Sequence, residues 1–222
     1  MSNFKACIFD LDGVIVDTAK YHFIAWRQIA QELGFEFTRE HNEALKGVSR
    51  QRSLDILLSV GGVTLDEGEK ARIADKKNGL YLAYIRKMTP AEILPGAETF
   101  LAECRSAGVK TGLATASRNA QVILERLNIA PLFDTVVDGT MVVHTKPHPE
   151  AFLTCAARLG TQPADCAVFE DAEAGIEAAL AAGMFAVGVG RETILKRAHL
   201  VIPGLANISL AALQTIKRTA QP

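Results

Sequence analysis

The stretch "CIFDLDGVIVDT", residues 7–18, opens as an apolar run of the kind that forms a buried strand. It then sets carboxylates at Asp10 and Asp12, with Gly13 behind them. Like charges held that close repel, and burying either is unfavourable unless it is paired. A positive partner is therefore expected at the end of this strand. Outward from it, short apolar runs alternate with helical patterns. "KACIF", "VKTGLAT", "DTVV", "CAVFE" and "FAVGVG" read as strands. "GAETFLAECRSAG", "NAQVILERLN", "PEAFLTCAARLG" and "AEAGIEAALAAG" read as the helices between the later ones, several stopped by Gly. Such alternation predicts an α/β fold, a Rossmann-like parallel sheet covered on both faces.

One segment breaks the alternation. Residues 16–92 carry helical patterns only, with Ala25, Ile29 and Leu33 in i, i+4 rhythm. Thr64 is a candidate cap for a long helix running to about Met88, and Pro90 and "LPG" at 94–96 mark the return to the sheet. The block is too large for a crossover loop. It reads as an α-helical cap domain, residues 16–92, inserted into a discontinuous core of residues 1–15 and 93–222. Its place just after the first strand puts it above the carboxyl ends of the strands, where open α/β sheets bind ligands.

Composition narrows the function classes. The 222 residues include 24 basic and 25 acidic side chains, a net charge of −1, so no basic excess points to nucleic acid or an anionic membrane. The apolar run before Asp10 is too short for a signal peptide or a membrane span. A cytoplasmic monomer is expected. Cys7, Cys104, Cys155 and Cys166 show no zinc-like spacing and read as reduced, buried thiols.

In a parallel sheet the strand ends gather along one edge. That edge would hold Asp10 and Asp12, then Thr115-Ala116-Ser117 ahead of a helix near Asn119. It would also hold Lys146 ahead of a helix opened by Pro149, and Glu170-Asp171 ahead of another. Carboxylates, a hydroxyl, an ammonium group and helix N-termini together suit a phosphate bound beside a divalent cation such as Mg²⁺. Asp10, Glu170 and Asp171 are the candidate metal ligands. Thr115 and Lys146 are candidate phosphate contacts. Asp10, directly on the strand, is the better nucleophile, and Asp12, on the loop, the better acid/base.

"DLDGV" at 10–14, "ATAS" at 114–117, "KPHPEAF" at 146–152 and "FEDAEAGIEAA" at 169–179 resemble, in order and spacing, the four motifs of the haloacid dehalogenase superfamily. "DLDGVIVDTAKYHFIAW" at 10–26 and "LKGVSRQRSL" at 45–54 resemble its sugar phosphomutases in particular. The resemblance implies an aspartyl-phosphate on Asp10, general acid/base work by Asp12, and Mg²⁺ held by Asp10, Glu170, Asp171 and the main-chain carbonyl of Asp12. It implies that Thr115 and Lys146 bind the transferring phosphate. His22 and Lys77 would link cap closure to the acid/base. Gly47, Val48, Ser49 and Arg50 would form a specificity loop, with Arg50, Ser117 and Asn119 on the phosphate that is not reacting. Trp26 belongs with this sugar-site group by position, although packing within the cap suits it better than stacking on a sugar. The implied reaction converts β-glucose 1-phosphate to glucose 6-phosphate through the 1,6-bisphosphate. The chain departs from the pattern at Thr115, where Ser is usual, at Arg118, where Lys is usual, and at His148, where a small or acidic residue is usual. A sugar-phosphate phosphatase on the same scaffold is the nearest alternative. A receiver-type signalling domain phosphorylated on aspartate is a more distant one, and it needs neither the helical block nor the late acidic pair.

Overall fold

In the computed structural model, residues 3–45 and 47–220 are described. Among the described residues six strands form one sheet: β1 (Ala6–Phe9), β2 (Lys110–Ala114), β3 (Thr135–Val137), β4 (Cys166–Glu170), β5 (Phe185–Val189) and β6 (Leu200–Ile202). All pair in parallel, in the order β3-β2-β1-β4-β5-β6. The chain winds outward from β1 in one direction through β2 and β3, then returns to its other side through β4, β5 and β6. β1 and β4 therefore flank the point where the winding reverses, and the crevice beyond their carboxyl ends is where such sheets bind ligands.

Successive side chains of β1 point to opposite faces. Cys7 and Phe9 join an apolar cluster with Phe100, Leu124 and Leu213. Ala6 and Ile8 join another with Phe152, Cys155 and Ile176. The covering helices include α5 (Ala97–Ser106), α6 (Ala120–Leu127), α7 (Glu150–Leu159), α8 (Glu173–Ala181) and α9 (Leu210–Ala220). With both faces covered, every residue of β1 and β4 is buried, which is why β1 and the first four residues of β4 read as apolar runs. Phe9 stacks on Phe169 of β4 with ring centroids 4.8 Å apart, and Phe100 meets Phe169 edge-on.

Between β1 and β2 lie α1 (Ala19–Glu32), α2 (Arg39–Glu43), α3 (Arg50–Gly61) and α4 (Glu67–Ile85). They share a separate apolar cluster built on Trp26, Ile29, Phe37, Leu54 and Leu57. Asp66, not Thr64, caps α4. Its carboxylate accepts from the Glu69 N–H at 2.8 Å while Glu69 reaches back to the Asp66 N–H, a reciprocal box that Thr64 is too far upstream to form. β6 was not expected from the sequence: three residues between His199 and Pro203 are too few to show a period. The four cysteines are free and buried. No helix among the described residues is long and apolar enough to cross a membrane.

Candidate active site

The strand parity that places Ala6 and Ile8 on the α7–α8 side places Asp10 there too. Phe9 pairs with Phe169, and the Asp10 N–H donates to the Phe169 carbonyl at 2.9 Å, so Asp10 stands beside Glu170 at the end of β4. Lys146, on the loop that enters α7, comes to the same point. Its ammonium donates to Asp10 Oδ1 at 2.5 Å, to Glu170 Oε2 at 2.7 Å and to the Ala114 carbonyl at 3.1 Å, and lies 4.7 Å from the centre of the Phe152 ring. All three side chains are buried. Lys146 thus supplies part of the positive charge that the acidic cluster calls for, through Asp10 and Glu170 themselves.

Burial alone would push the Lys146 ammonium below the ordinary lysine value. The Asp10 and Glu170 carboxylates outweigh burial and hold it above that value. Glu170 is nonetheless pushed up to about 8, first by burial and then by Asp10 and Asp171, against the pull of Lys146. One ammonium shared between two buried carboxylates cannot neutralise both. A hard divalent cation would complete the balance, and Asp10, Glu170 and Asp171 offer oxygens that all lie within 4.8 Å of one another. The donor set and its charge thus fit a Mg²⁺-like ion.

Two glycines make room for these carboxylates. Gly13 has φ +80°, and a Cβ there would overlap the Asp171 carboxylate. Gly175, in the first turn of α8, faces Glu170 so closely that a Cβ would overlap its carboxyl group. The first belongs to the opening motif, and the second explains why a glycine interrupts an alanine-rich helix.

Asp12 follows two residues after Asp10. Its N–H donates to Asp10 Oδ2 at 3.0 Å, while Lys146 holds the other oxygen, Oδ1, of the same carboxylate. Asp12 Oδ1 is buried and finds no hydrogen-bond partner among the described residues. Burial, then Asp10 and Asp171, push its carboxyl from 3.8 up to about 8, with Lys77 and Lys146 opposing. A carboxyl poised near neutral pH with a bare oxygen is suited to exchanging a proton with a hydroxyl placed before it.

A cavity of about 320 Å³ opens in front of these groups. The sheet side contributes Asp10, Asp12, Thr115, Ala116, Ser117, Asn119 and Asp171. The helical side contributes His22, Trp26, Gly47, Val48, Ser49, Arg50 and Lys77. Lys146 and Glu170 sit behind this wall rather than in it. Thr115 Oγ1 accepts from the Ser117 N–H at 3.1 Å, and Ser117 Oγ accepts from the Asn119 N–H at 3.3 Å, so the loop between β2 and α6 is folded on its own hydroxyls. Ser49 caps α3. Lys46, within the same motif, lies outside the described residues. His22 Nδ1 and Lys77 Nζ are 2.8 Å apart, and the ammonium is 4.8 Å from both the Trp26 and Tyr81 rings. Burial, then Arg50, lower Lys77 to about 7, while Asp12 raises it. Burial, then Lys77 and Arg50, lower His22 well below the ordinary histidine value. Trp26 is 1% exposed and packs with Ile29 and Leu54 while also lining the cavity.

The sequence reading missed Asn78 and Tyr81, which line the cavity from α4, and it left Arg118 out of the site although that residue lines it as well. Burial, then the Arg118 guanidinium, lower the Arg50 pKa. The signal available was helical spacing: Lys77 and Tyr81 share a face of α4, and Asn78 adjoins it. His148 is exposed, with its ring 4.6 Å from that of His144 and its Nδ1 accepting from the Glu150 N–H.

Residues 4–183 match the family model for haloacid dehalogenase-like hydrolases. The chain belongs to this family. It is 47% identical to β-phosphoglucomutase of Bacillus subtilis, an alignment covering 94% of this chain and 93% of that protein. It is 35% identical to a fructose-1-phosphate phosphatase of Escherichia coli, over 84% of this chain and 96% of the other. The solved structure of β-phosphoglucomutase from Clostridium difficile superposes with a TM-score of 0.94 at 42% identity, covering 98% of each chain.

Proposed function

We propose that this protein is a Mg²⁺-dependent β-phosphoglucomutase, interconverting β-glucose 1-phosphate and glucose 6-phosphate through an aspartyl-phosphate and β-glucose 1,6-bisphosphate. The observation that carries the proposal is the two-sided cavity. Asp10, Asp12 and Thr115 lie at the sheet edge, with Arg50 and Asn119 also in the wall, so one sugar with a phosphate at each end can be held between them. The kinship at 47% identity supports the same reading.

Phosphorylated Asp10 gives its phosphoryl group to the C6 hydroxyl of β-glucose 1-phosphate, and Asp12 accepts the hydroxyl proton. The bisphosphate turns around. Asp10 then takes the C1 phosphoryl group while Asp12 returns a proton to the C1 oxygen. Lys146 holds the Asp10 carboxylate in line and offsets charge on the transferring group, and Thr115 donates to its oxygens. Bound Mg²⁺, held by Asp10, Glu170 and Asp171 with the Asp12 carbonyl, supplies charge neutralisation for the same group. The segment 16–92 serves as the cap: closing over the sugar, it keeps water from the aspartyl-phosphate. His22 and Lys77, both on the cap and in contact with each other, tie closure to the acid/base through the electrostatic pull of Lys77 on Asp12. The loop Gly47–Arg50 sets sugar preference, with Ala116, Ser117 and Asn119 lining the same cavity from the sheet domain.

The test is incubation with Mg²⁺, β-glucose 1-phosphate and a trace of the 1,6-bisphosphate, following glucose 6-phosphate and free phosphate together. Glucose 6-phosphate with little free phosphate is the expected result. Free phosphate as the main product would instead make the protein a sugar-phosphate phosphatase, the activity for which the Escherichia coli relative is named.

A further inference from the structure

Asn78 lies within α4, where asparagine is a weaker helix former than most residues. Its amide oxygen accepts two hydrogen bonds from two other elements. Arg50 Nη2, at the first residue of α3, donates at 2.8 Å, and Asn119 Nδ2, at the N-cap of α6, donates at 2.9 Å. An amide oxygen has two lone pairs, and these donors use both. One of them comes from the helical block and the other from the sheet domain, so this single atom joins the two halves of the cavity wall. Its place is next to Lys77, which makes the contact with His22.

We propose that Asn78 is a positioning residue: its amide oxygen clasps Arg50 to Asn119 and holds both donors in the arrangement that receives the sugar's non-reacting phosphate. The inference rests on the reading of Arg50 and Asn119 given above. The chemistry of the clasp suits that duty. Arg50 is repelled by another guanidinium, Arg118, and attracted by Asp75, and the Asn78 oxygen gives it a hydrogen-bond acceptor before an anion arrives. A neutral amide supplies one, and it yields to a phosphate, which makes shorter and stronger charge-assisted bonds. A carboxylate at the same position would hold Arg50 as an ion pair and repel the phosphate.

The experiment compares Asn78→Ala and Asn78→Asp with the wild type in two reactions. One is turnover of β-glucose 1-phosphate, which carries the distal phosphate. The other is hydrolysis of acetyl phosphate, which phosphorylates Asp10 but has no second phosphate. Asn78→Ala is expected to raise KM for the sugar phosphate about five- to tenfold, the loss of one or two hydrogen bonds, and to leave acetyl phosphate hydrolysis within about twofold. Asn78→Asp is expected to raise KM further. An unchanged KM, equal losses in both reactions, or tighter sugar phosphate binding by Asn78→Asp would overturn the proposal. The Asn119 side-chain amide protons, followed by NMR hydrogen exchange, give a readout independent of the sugar. Faster exchange in Asn78→Ala supports the clasp, and unaltered exchange overturns it. A wild type that makes no glucose 6-phosphate defeats the mutase reading instead, and the exchange measurement still decides the clasp.

Discussion

Replacing Lys146 with Met keeps most of the side chain's length and its packing on Phe152 but deletes the ammonium. In the native site that ammonium makes two charge-assisted bonds, at 2.5 Å to Asp10 and 2.7 Å to Glu170, with the side chains of Lys146 and Glu170 almost wholly out of water. The variant leaves two buried carboxylates facing each other without a cation. Breaking a buried pair in this way destabilises a fold by about 3–5 kcal/mol, because the surviving charge is uncompensated. The neutral partner Glu170→Gln removes one of the two stranded charges. The double variant Lys146→Met/Glu170→Gln should therefore be more stable than Lys146→Met alone by about 1–3 kcal/mol, although it carries one more substitution. Urea unfolding at pH 9 in EDTA, above the value of about 8 to which Glu170 is pushed so that its carboxyl is ionised in the wild type, measures all four members of the cycle without a contribution from metal. Lys146→Met within about 1 kcal/mol of the wild type, or a double variant less stable than Lys146→Met, would refute the argument that charge balance holds this site together.

Asp12→Asn should lower kcat by about 10²- to 10⁴-fold while leaving Mg²⁺ affinity nearly unchanged, because only the proton carrier is lost; near-normal turnover would exclude the acid/base role. Adding Mg²⁺ to metal-free protein should raise its thermal midpoint, by about 2.7 kcal/mol of stabilisation at a hundredfold excess over Kd, and Glu170→Gln should abolish most of that rise. A Mg²⁺ response that survives Glu170→Gln would move the metal site elsewhere. Gly175→Ala, ordinarily favourable in a helix, should destabilise the protein and weaken Mg²⁺ binding, since its Cβ overlaps the Glu170 carboxyl group; a stabilised variant would contradict the packing. Lys77 has its folded pKa lowered from 10.5 to about 7, so between those values the unfolded chain binds more protons and this residue makes stability rise with pH. Below pH 7 the full penalty of a buried charge is present. Lys77→Met should flatten that part of the stability profile between about pH 7 and 10, and identical wild-type and variant slopes would count against a depressed ammonium.

The motifs were readable in the chain because each is local. "CIFDLDG" shows a buried strand running into a turn, and the period of two along β1 decides that Asp10 shares a face with Ile8. The helical block was legible for the same reason: 3.6-residue periodicity persists from α1 to α4 without a strand pattern between. What local periodicity cannot carry is the distance between segments far apart in sequence. Lys146 lies 136 residues beyond Asp10, and only the pairing of Phe9 with Phe169 and the descent into α7 bring its ammonium between Asp10 and Glu170. Asn78 has no motif at all; its role arises where α3, α4 and α6 meet. β6 and the true cap of α4 were likewise settled by neighbours, a strand edge to pair with in one case and a reciprocal hydrogen-bond box in the other. The sequence by itself determined which residue types stand at the ends of which strands, because backbone period and turn chemistry are short-range. The tertiary structure alone decided their charge balance, since register and packing set which carboxylate meets which ammonium and how much water reaches them.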